Sequence, residues 1–294
     1  MSVTYIAPAT LDEALAFLAE RGSDCTILAG GMAVVPALKQ GALATRCLVN
    51  IKGLDLGTAP LVDTSKRTLA FSARVRHRDI ETSAVIAHWL PALSRLEQHL
   101  ASAQVRNHGT LVGNLCAAEP WTDIPCLMAA LDTHLELAAT RGTRTVPVET
   151  WISGPMETGC RPDEIVVRAV VSLPIANEGV GYARLTPRQA LARPLACAAA
   201  RITRTADGRI TAARVFIGAI GPCPQRMARV EQLLIGEAID DALLSDIAEA
   251  VEHDVISLPD VRSSESYKKQ VAGVLAQRTI VDAVQDATVS KAAA

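Results

Sequence analysis

Residues 104–131, QVRNHGTLVGNLCAAEPWTDIPCLMAAL, decide how this chain is read. At their centre, HGTLVGN (residues 108–114) sets small residues beside the hydroxyl of Thr110 and the amide of Asn114. That mixture suits a loop that wraps a polar ligand with main-chain donors. Asp123 follows nine residues after Asn114, directly before an apolar helix that opens with Ile124 and Pro125. Two compatible roles fit it. Asp123 or Thr122 caps that helix, and the Asp123 carboxylate accepts from a ligand hydroxyl or ring N–H. Arg106, Asn107 and His108 read as residues that position the loop rather than as a catalytic cluster.

A second glycine turn lies upstream in LAGGMAVVP, residues 28–36. CTILAGG reads as a short buried strand entering a glycine turn, and MAVVPALKQG as a helix ended by Gly41 with Pro36 in its first turn. Adjacent glycines between strand and helix let backbone N–H groups approach an anion. The segment is not G-x-G-x-x-G and lacks the Lys and Ser/Thr of a phosphate-binding P-loop, which disfavours both of those folds. Before it, Thr10 with Glu13 makes a capping box for LDEALAFLAERG. After it, RCLVNI supplies the next strand. Strand, turn, helix and strand in succession predict a small α/β unit.

Residues 54–173 form a second unit, with strands at TLAFSARV, HLELAAT and EIVVRAVVSLP and helical segments broken near Pro91. Arg74, Arg76 and Arg78 alternate as on an exposed strand face, which makes His77 a solvated or loop histidine. IANEGV, residues 175–180, is the expected linker. LACAAARITRTADGRITAARVFIGAIG then predicts a β-hairpin turning at Asp207 and Gly208. Three helical segments follow, and SKAAA closes the chain as a frayed tail.

Composition narrows the function. The 294 residues carry 29 basic and 31 acidic side chains for a formal charge of −2, without the basic excess of a dedicated nucleic-acid binder. Hydrophobic residues make up 49% and charged residues 20%, which excludes disorder as the main character. Aromatic residues reach only 3%, so the core is built from Ala, Val, Leu and Ile and offers no stacking platform for bases. The N-terminus lacks the pattern of a secretory leader, and no apolar run reaches the roughly 18 residues of a membrane span. Seven cysteines stand singly with no C-x-x-C pair, and six histidines do not cluster at ligand spacing. The expectation is a reduced cytoplasmic protein without a metal site, its thiols packed as small hydrophobes.

These segments resemble the FAD-binding medium subunits of molybdenum hydroxylases, the xanthine dehydrogenase and aerobic carbon monoxide dehydrogenase family. LAGGMAVVPALKQG is similar to the family's A-G-G-T/Q-x-L-L-P-x-x-K. VRNHGTLVGNLCAAEPWTDIP is similar to V-R-N-x-G-T-I-G-G-N-x-A-x-A-x-P-x-x-D-x-P. FSARVRHRDIE, GYARLTPRQA and SSESYKKQVAGVLAQRTI extend the similarity in order over nearly the whole chain. The resemblance implies an α+β protein, with a two-subdomain FAD-binding domain of the vanillyl-alcohol-oxidase/PCMH type before a C-terminal antiparallel sheet with helices. The implied boundaries are 1–54 and 55–174 for the FAD-binding subdomains, 178–286 for the C-terminal domain and 287–294 for a tail.

Carried over by position, the amides of Leu28, Ala29, Gly30, Gly31, Met32, Ala33 and Val34 would contact the FAD pyrophosphate. Thr110, Leu111, Val112, Gly113 and Asn114 would wall the diphosphate and ribityl chain, and Asp123 would hold a cofactor hydroxyl or ring donor. Leu100 and Ala101 match a small apolar pair near the flavin, and Arg184 stands where Lys is common. Three departures bear on the site. Val112 replaces the first glycine of T-I-G-G-N, which would shift the loop if that position needs a positive φ. Met32 replaces Thr or Gln, and Arg193-Pro194 stand where an acidic-aromatic pair is common, altering the flavin surroundings.

The function implied is an oxidoreductase subunit with no catalytic acid–base pair of its own. It would take electrons from an iron–sulfur small subunit, in complex with a molybdenum-cofactor large subunit, and pass them through FAD to an external acceptor. Its length matches one FAD subunit without fused modules. A self-sufficient flavin oxidoreductase and a non-catalytic scaffold with a decayed FAD site are the alternatives.

Overall fold

Parallel pairing opens the chain. The computed structural model describes residues 3–188 and 191–287. Its first unit runs β1 (Thr4–Ile6), α1 (Leu11–Arg21), β2 (Cys25–Leu28), α2 (Val34–Lys39) and β3 (Cys47–Asn50). The strands form a parallel sheet in the order β1-β3-β2. Thr10 caps α1 by accepting from the Glu13 amide at 3.2 Å, while the Glu13 carboxylate accepts from the Ala9 amide. Ala14, Leu15 and Leu18 then turn one face of α1 into the core.

The second unit inserts six helices into an antiparallel sheet. β4 (Leu61–Asp63) and β5 (Thr68–Ser72) precede α3 (His77–Glu81), α4 (Ala84–Trp89), α5 (Pro91–Gln98), α6 (Ala103–His108), α7 (Leu111–Ala117) and α8 (Ile124–Ala130). β6 (His134–Ala139), β7 (Gly142–Pro147), α9 (Val148–Trp151), β8 (Ile152–Gly154), β9 (Glu157–Thr158) and β10 (Ile165–Ser172) follow. The sheet order β4-β5-β10-β6-β7 places the β-branched β10 at its centre. Pro91 starts α5 because its missing N–H costs nothing in a first turn. Trp151 is fully buried and donates its indole N–H to the Leu115 carbonyl at 2.9 Å, pinning α7.

The third unit contains β11 (Glu178–Leu185), β12 (Ala196–Arg204), β13 (Ile210–Gly218), β14 (Gln225–Arg226), α10 (Ala228–Leu234), α11 (Asp241–Asp254) and α12 (Glu265–Asp286). Its sheet is antiparallel in the order β11-β12-β13-β14. The period of two along β12 splits its side chains between two cores. Cys197 and Ala199 join the core shared with the first two units, whereas Ala196, Ala198, Ala200 and Ile202 pack under the helices. Small residues on both faces let helices approach the sheet on one side and α8 on the other. This is where the shortage of aromatic rings is spent.

Two sequence expectations fail here. Arg74, Arg76 and Arg78 do not share a strand face, because β5 ends at Ser72 and the chain turns into α3. Arg74 donates to the Leu54 carbonyl at 2.6 Å, and Arg76 lies on Asp79, whose carboxylate accepts the Arg76 amide and starts the helix. Residues 175–180 are a tight turn and the first part of β11 rather than a linker. Glu178 is buried, accepts from the Ile175 amide and pairs with Arg201 at 2.7 Å, which closes the turn. Of the expected tail, residues 288–294 lie outside the described residues. Among the described residues, no helix is long and apolar enough to cross a membrane.

Candidate functional site

A cavity of about 900 Å³ lies where the three units meet, lined from residues 18–34, 51, 73, 77, 100–123, 158–166, 184 and 191–194. Its size is that of a pocket for a large organic ligand. The cavity brings together the sequence-predicted residues Ala29, Gly30, Gly31, Met32, Ala33, Val34, Leu100, Ala101, Thr110, Val112, Gly113, Asn114, Asp123 and Arg184. Leu28 and Leu111 stand behind this lining as buried core residues.

The middle of the cavity is a backbone surface. After β2 the chain turns through Gly31, whose φ is +79°, and enters α2. The amides of Gly30, Gly31, Met32, Ala33 and Val34 make no hydrogen bond among the described residues, as the first N–H groups of a helix do not. A Cβ on Gly30 would stand 2.2 Å from the His108 carbonyl oxygen and 2.7 Å from the Gly109 Cα. Only glycine permits that contact, which sets the turn directly against the second motif.

The second motif is helical where a loop was expected. Thr110 caps α7 by accepting from the Gly113 amide at 3.0 Å. Val112 therefore has a helical backbone and a buried side chain, so its β-branched side chain meets no positive-φ requirement. The shifted loop and the decayed site that Val112 suggested both lose their basis. Asn114 presents a buried side-chain oxygen with no partner among the described residues, at the edge of the cavity. An orphaned acceptor of this kind calls for a donor from a ligand or water.

The third wall is made of side chains. Asp123 occupies the position before α8 but makes no cap hydrogen bond. Its carboxylate instead accepts from the Tyr182 hydroxyl and pairs with Arg184 at 2.9 Å, while Arg184 also donates to the His99 carbonyl. Thr122 turns away to the Glu119 carbonyl, so neither residue is the cap. Burial pushes the Asp123 carboxyl up, opposed by Arg184 and Tyr182. Burial, reinforced by Asp123, holds the Tyr182 hydroxyl protonated well above the usual phenol range. Tyr182 is a site residue that its spacing from Asp123 could not disclose.

Leu100 and Ala101 reach the cavity through a strained turn, Ala101 having φ +44°. Arg106 holds that turn by donating to the carbonyls of both residues, and pairs with Glu81 at 2.8 Å. The segment that Arg106 holds is this turn rather than the 108–114 loop for which it was expected. His77 also departs from its expected solvated or loop place. It is 2% exposed, lines the cavity, and pairs through Nδ1 with the fully buried Glu97 at 2.9 Å.

The cysteines also differ from expectation. Cys47, Cys126 and Cys197 are buried, but Cys25, Cys116 and Cys160 border the cavity. Burial pushes the Cys160 thiol up to about 11, so it is a neutral lining group rather than a nucleophile. At the rim, Arg193 pairs with Glu119 at 2.8 Å and lies 5.8 Å from the centre of the Trp121 ring.

Comparison with known proteins bears on this arrangement. The family described as FAD binding domain in molybdopterin dehydrogenase matches residues 1–175, and the carbon monoxide dehydrogenase flavoprotein C-terminal domain matches residues 182–283. The chain is 30% identical to the caffeine dehydrogenase subunit beta of a Pseudomonas species (strain CBB1), over 83% of this chain and 81% of that one. It is 27% identical to the 6-hydroxypseudooxynicotine dehydrogenase complex subunit alpha of Paenarthrobacter nicotinovorans, over 99% and 97% of the two chains. Among solved structures, carbon monoxide dehydrogenase from Hydrogenophaga pseudoflava superposes with a TM-score of 0.92 at 26% identity, covering 97% of this chain and 98% of that one. The free amides at the glycine turn, the Gly30 contact and the orphaned Asn114 oxygen fit a large ligand with an anionic middle and donors on its flank. The chain belongs to the family of FAD-binding medium subunits of molybdenum hydroxylases, and its cofactor is FAD.

Proposed function

We propose that this chain is the electron-transferring flavoprotein of a heteromeric molybdenum-containing hydroxylase or dehydrogenase. Electrons would arrive from iron–sulfur clusters on a small subunit, after substrate oxidation on a molybdenum-cofactor large subunit, and leave for an external acceptor. The observation that carries this reading is the cavity itself: three units converge on it, and the free amides of its glycine turn and the unpartnered Asn114 oxygen offer binding groups to a large anionic ligand. The relatives' names, a dehydrogenase subunit beta and a dehydrogenase complex subunit alpha, support partner subunits.

When bound, FAD supplies the exchange between two-electron and one-electron transfer. The chain's own residues would do the rest. Amides of residues 29–34 would donate to the pyrophosphate, with Leu28 fixing the turn from behind. Thr110, Gly113 and Asn114 would wall the ribityl chain, while Leu111 and Val112 hold α7 in place. Asp123, held in place by Arg184 and Tyr182, would accept from a ring N–H or hydroxyl. Leu100 and Ala101 would give the ring an apolar neighbour. On this reading the units divide near residues 54 and 174, and FAD lies between the first two.

Co-expression with its partner subunits, followed by size-exclusion chromatography with flavin, iron and molybdenum analysis, tests the proposal. One FAD per copy of this chain in a complex that also contains iron and molybdenum is expected. A flavin-loaded chain that turns over substrate alone would replace it with the self-sufficient oxidoreductase.

A further inference from the structure

The cavity holds one buried titratable pair that the FAD reading leaves unused. Among the described lining residues, the cations are His77, Arg161, Arg184 and Arg193. The three arginines each face a carboxylate that also lines the cavity: Glu164 at 3.8 Å, Asp123 at 2.9 Å and Glu119 at 2.8 Å. His77 alone faces a carboxylate, Glu97, that does not line the cavity. A Cβ on Gly109 would stand 3.2 Å from its Cδ2 and 3.5 Å from the Met32 Cγ, which sets the ring near the side chain of Met32 in the glycine turn.

Its orientation is fixed from behind. Nδ1 faces Glu97 and the His77 amide donates to the Gly109 carbonyl at 3.0 Å. Nε2 has no hydrogen-bond partner among the described residues, and the His77 ring lines the cavity. The second Glu97 oxygen is buried and unpartnered, and burial pushes this carboxyl up.

We propose that His77, backed by Glu97, is the proton-linked partner of the cofactor's diphosphate, so that binding of FAD draws a proton onto this pair. The inference rests on the FAD reading of the cavity. A diphosphate diester keeps its negative charge through neutral pH, and neutral amides alone leave that charge uncompensated in a dry cavity. An imidazolium at Nε2 compensates it, and Glu97 steadies the imidazolium. Most neighbouring charges are already matched, and Lys52, which borders Ala29 and Gly30 in a second, smaller cavity, is exposed to solvent. Glu81 on α3 faces Arg106 on α6 at 2.8 Å and Arg78 at 3.1 Å, and Arg76 lies on Asp79. Arg74 is spent on the Leu54 carbonyl, Arg95 on α5 and His108 on α6 are exposed, and residues 28–34 carry no titratable side chain.

The sign follows from linkage. A proton held more tightly in the complex strengthens binding at low pH, and the advantage disappears as pH rises through the value for the bound pair. Flavin fluorescence titration of the full chain between about pH 6 and 9 tests this, with FAD and riboflavin as the two probes. FAD affinity is expected to fall by up to about tenfold per pH unit over part of this range, while riboflavin, which has no phosphate, binds with a flat profile. His77→Gln is expected to bind FAD roughly tenfold or more weakly near pH 6 and to lose the slope. Glu97→Gln keeps an acceptor for Nδ1–H and should move the slope to lower pH, which serves if His77→Gln fails to fold. Equal slopes for FAD and riboflavin, or a wild-type slope in His77→Gln, overturn the inference. Absence of FAD binding by the wild-type chain at every pH overturns the FAD reading along with it.

Discussion

Two walls of one cavity are built by opposite means. Around Gly30 the wall is backbone, made possible by a missing Cβ and closed by residues 108–114. Around Asp123 it is side chain, a buried carboxylate whose partners Tyr182 and Arg184 come 59 and 61 residues later from another sheet. The backbone wall tolerates no added atoms but carries no charge to lose. The side-chain wall has room for other shapes but little tolerance for an uncompensated charge. Sterics hold the first and electrostatics the second, so they should fail differently.

Asp123→Ala should do the most damage. It leaves Arg184 and the Tyr182 hydroxyl without their acceptor, and breaking a buried pair in this way costs about 3–5 kcal/mol. Chemical denaturation is expected to show that loss, while Asp123→Asn keeps part of the hydrogen bonding and recovers some of it. If Asp123→Ala is no less stable than wild type, the electrostatic account of this wall is wrong. Gly30→Ala comes next, because its new Cβ meets backbone atoms that cannot rotate aside. Overpacking of this kind costs about 1–3 kcal/mol. Since the two motifs must part, the cost should appear as roughly 10- to 100-fold weaker FAD binding. Val112→Gly sharpens the comparison from within the backbone wall. It deletes a buried side chain and loosens a helix interior, costing roughly 2 kcal/mol of stability, with no gain in FAD affinity. Tighter FAD binding would mean that the glycine was needed after all. Arg193→Ala should do least, since an exposed ion pair and one cation–π contact together contribute about 1 kcal/mol or less. A melting temperature lowered by more than about 5 °C would show that the rim is structural.

Legibility in the sequence followed the distance over which each contact acts. The Thr10 cap, the turn at Asp207 and Gly208, the glycine turn before α2 and the start of α5 at Pro91 are settled by residues within one helical turn. Their side chains state the geometry directly. Val112 was misread because a glycine in a related motif implies freedom, whereas the Thr110 cap had already committed the segment to a helix. His77 was misread because the arginines around it suggested solvent. Each of those arginines has its own carbonyl or carboxylate, while the histidine among them turns inward to Glu97. Asp123 was placed correctly and its cap role was not, because its partners lie on β11 and no local pattern announces them. Small α/β and hairpin units were thus readable locally, but the cavity between them was not.

Contact between β11 and α12 adds an order of events. A Cβ on Gly181 would stand 2.0 Å from the Thr279 carbonyl oxygen, and the Val180 amide donates to Asp286 at 2.9 Å. The strand that presents Tyr182 and Arg184 is therefore seated by the last turns of the last helix described, about a hundred residues downstream. On a ribosome, every residue of the backbone wall has emerged well before α12, for which the charged wall waits. Contacts of such long sequence separation form late in folding. A nascent chain would thus pass through a stage with half a cavity, its Asp123 still open to water until α12 seats the strand that carries Tyr182 and Arg184.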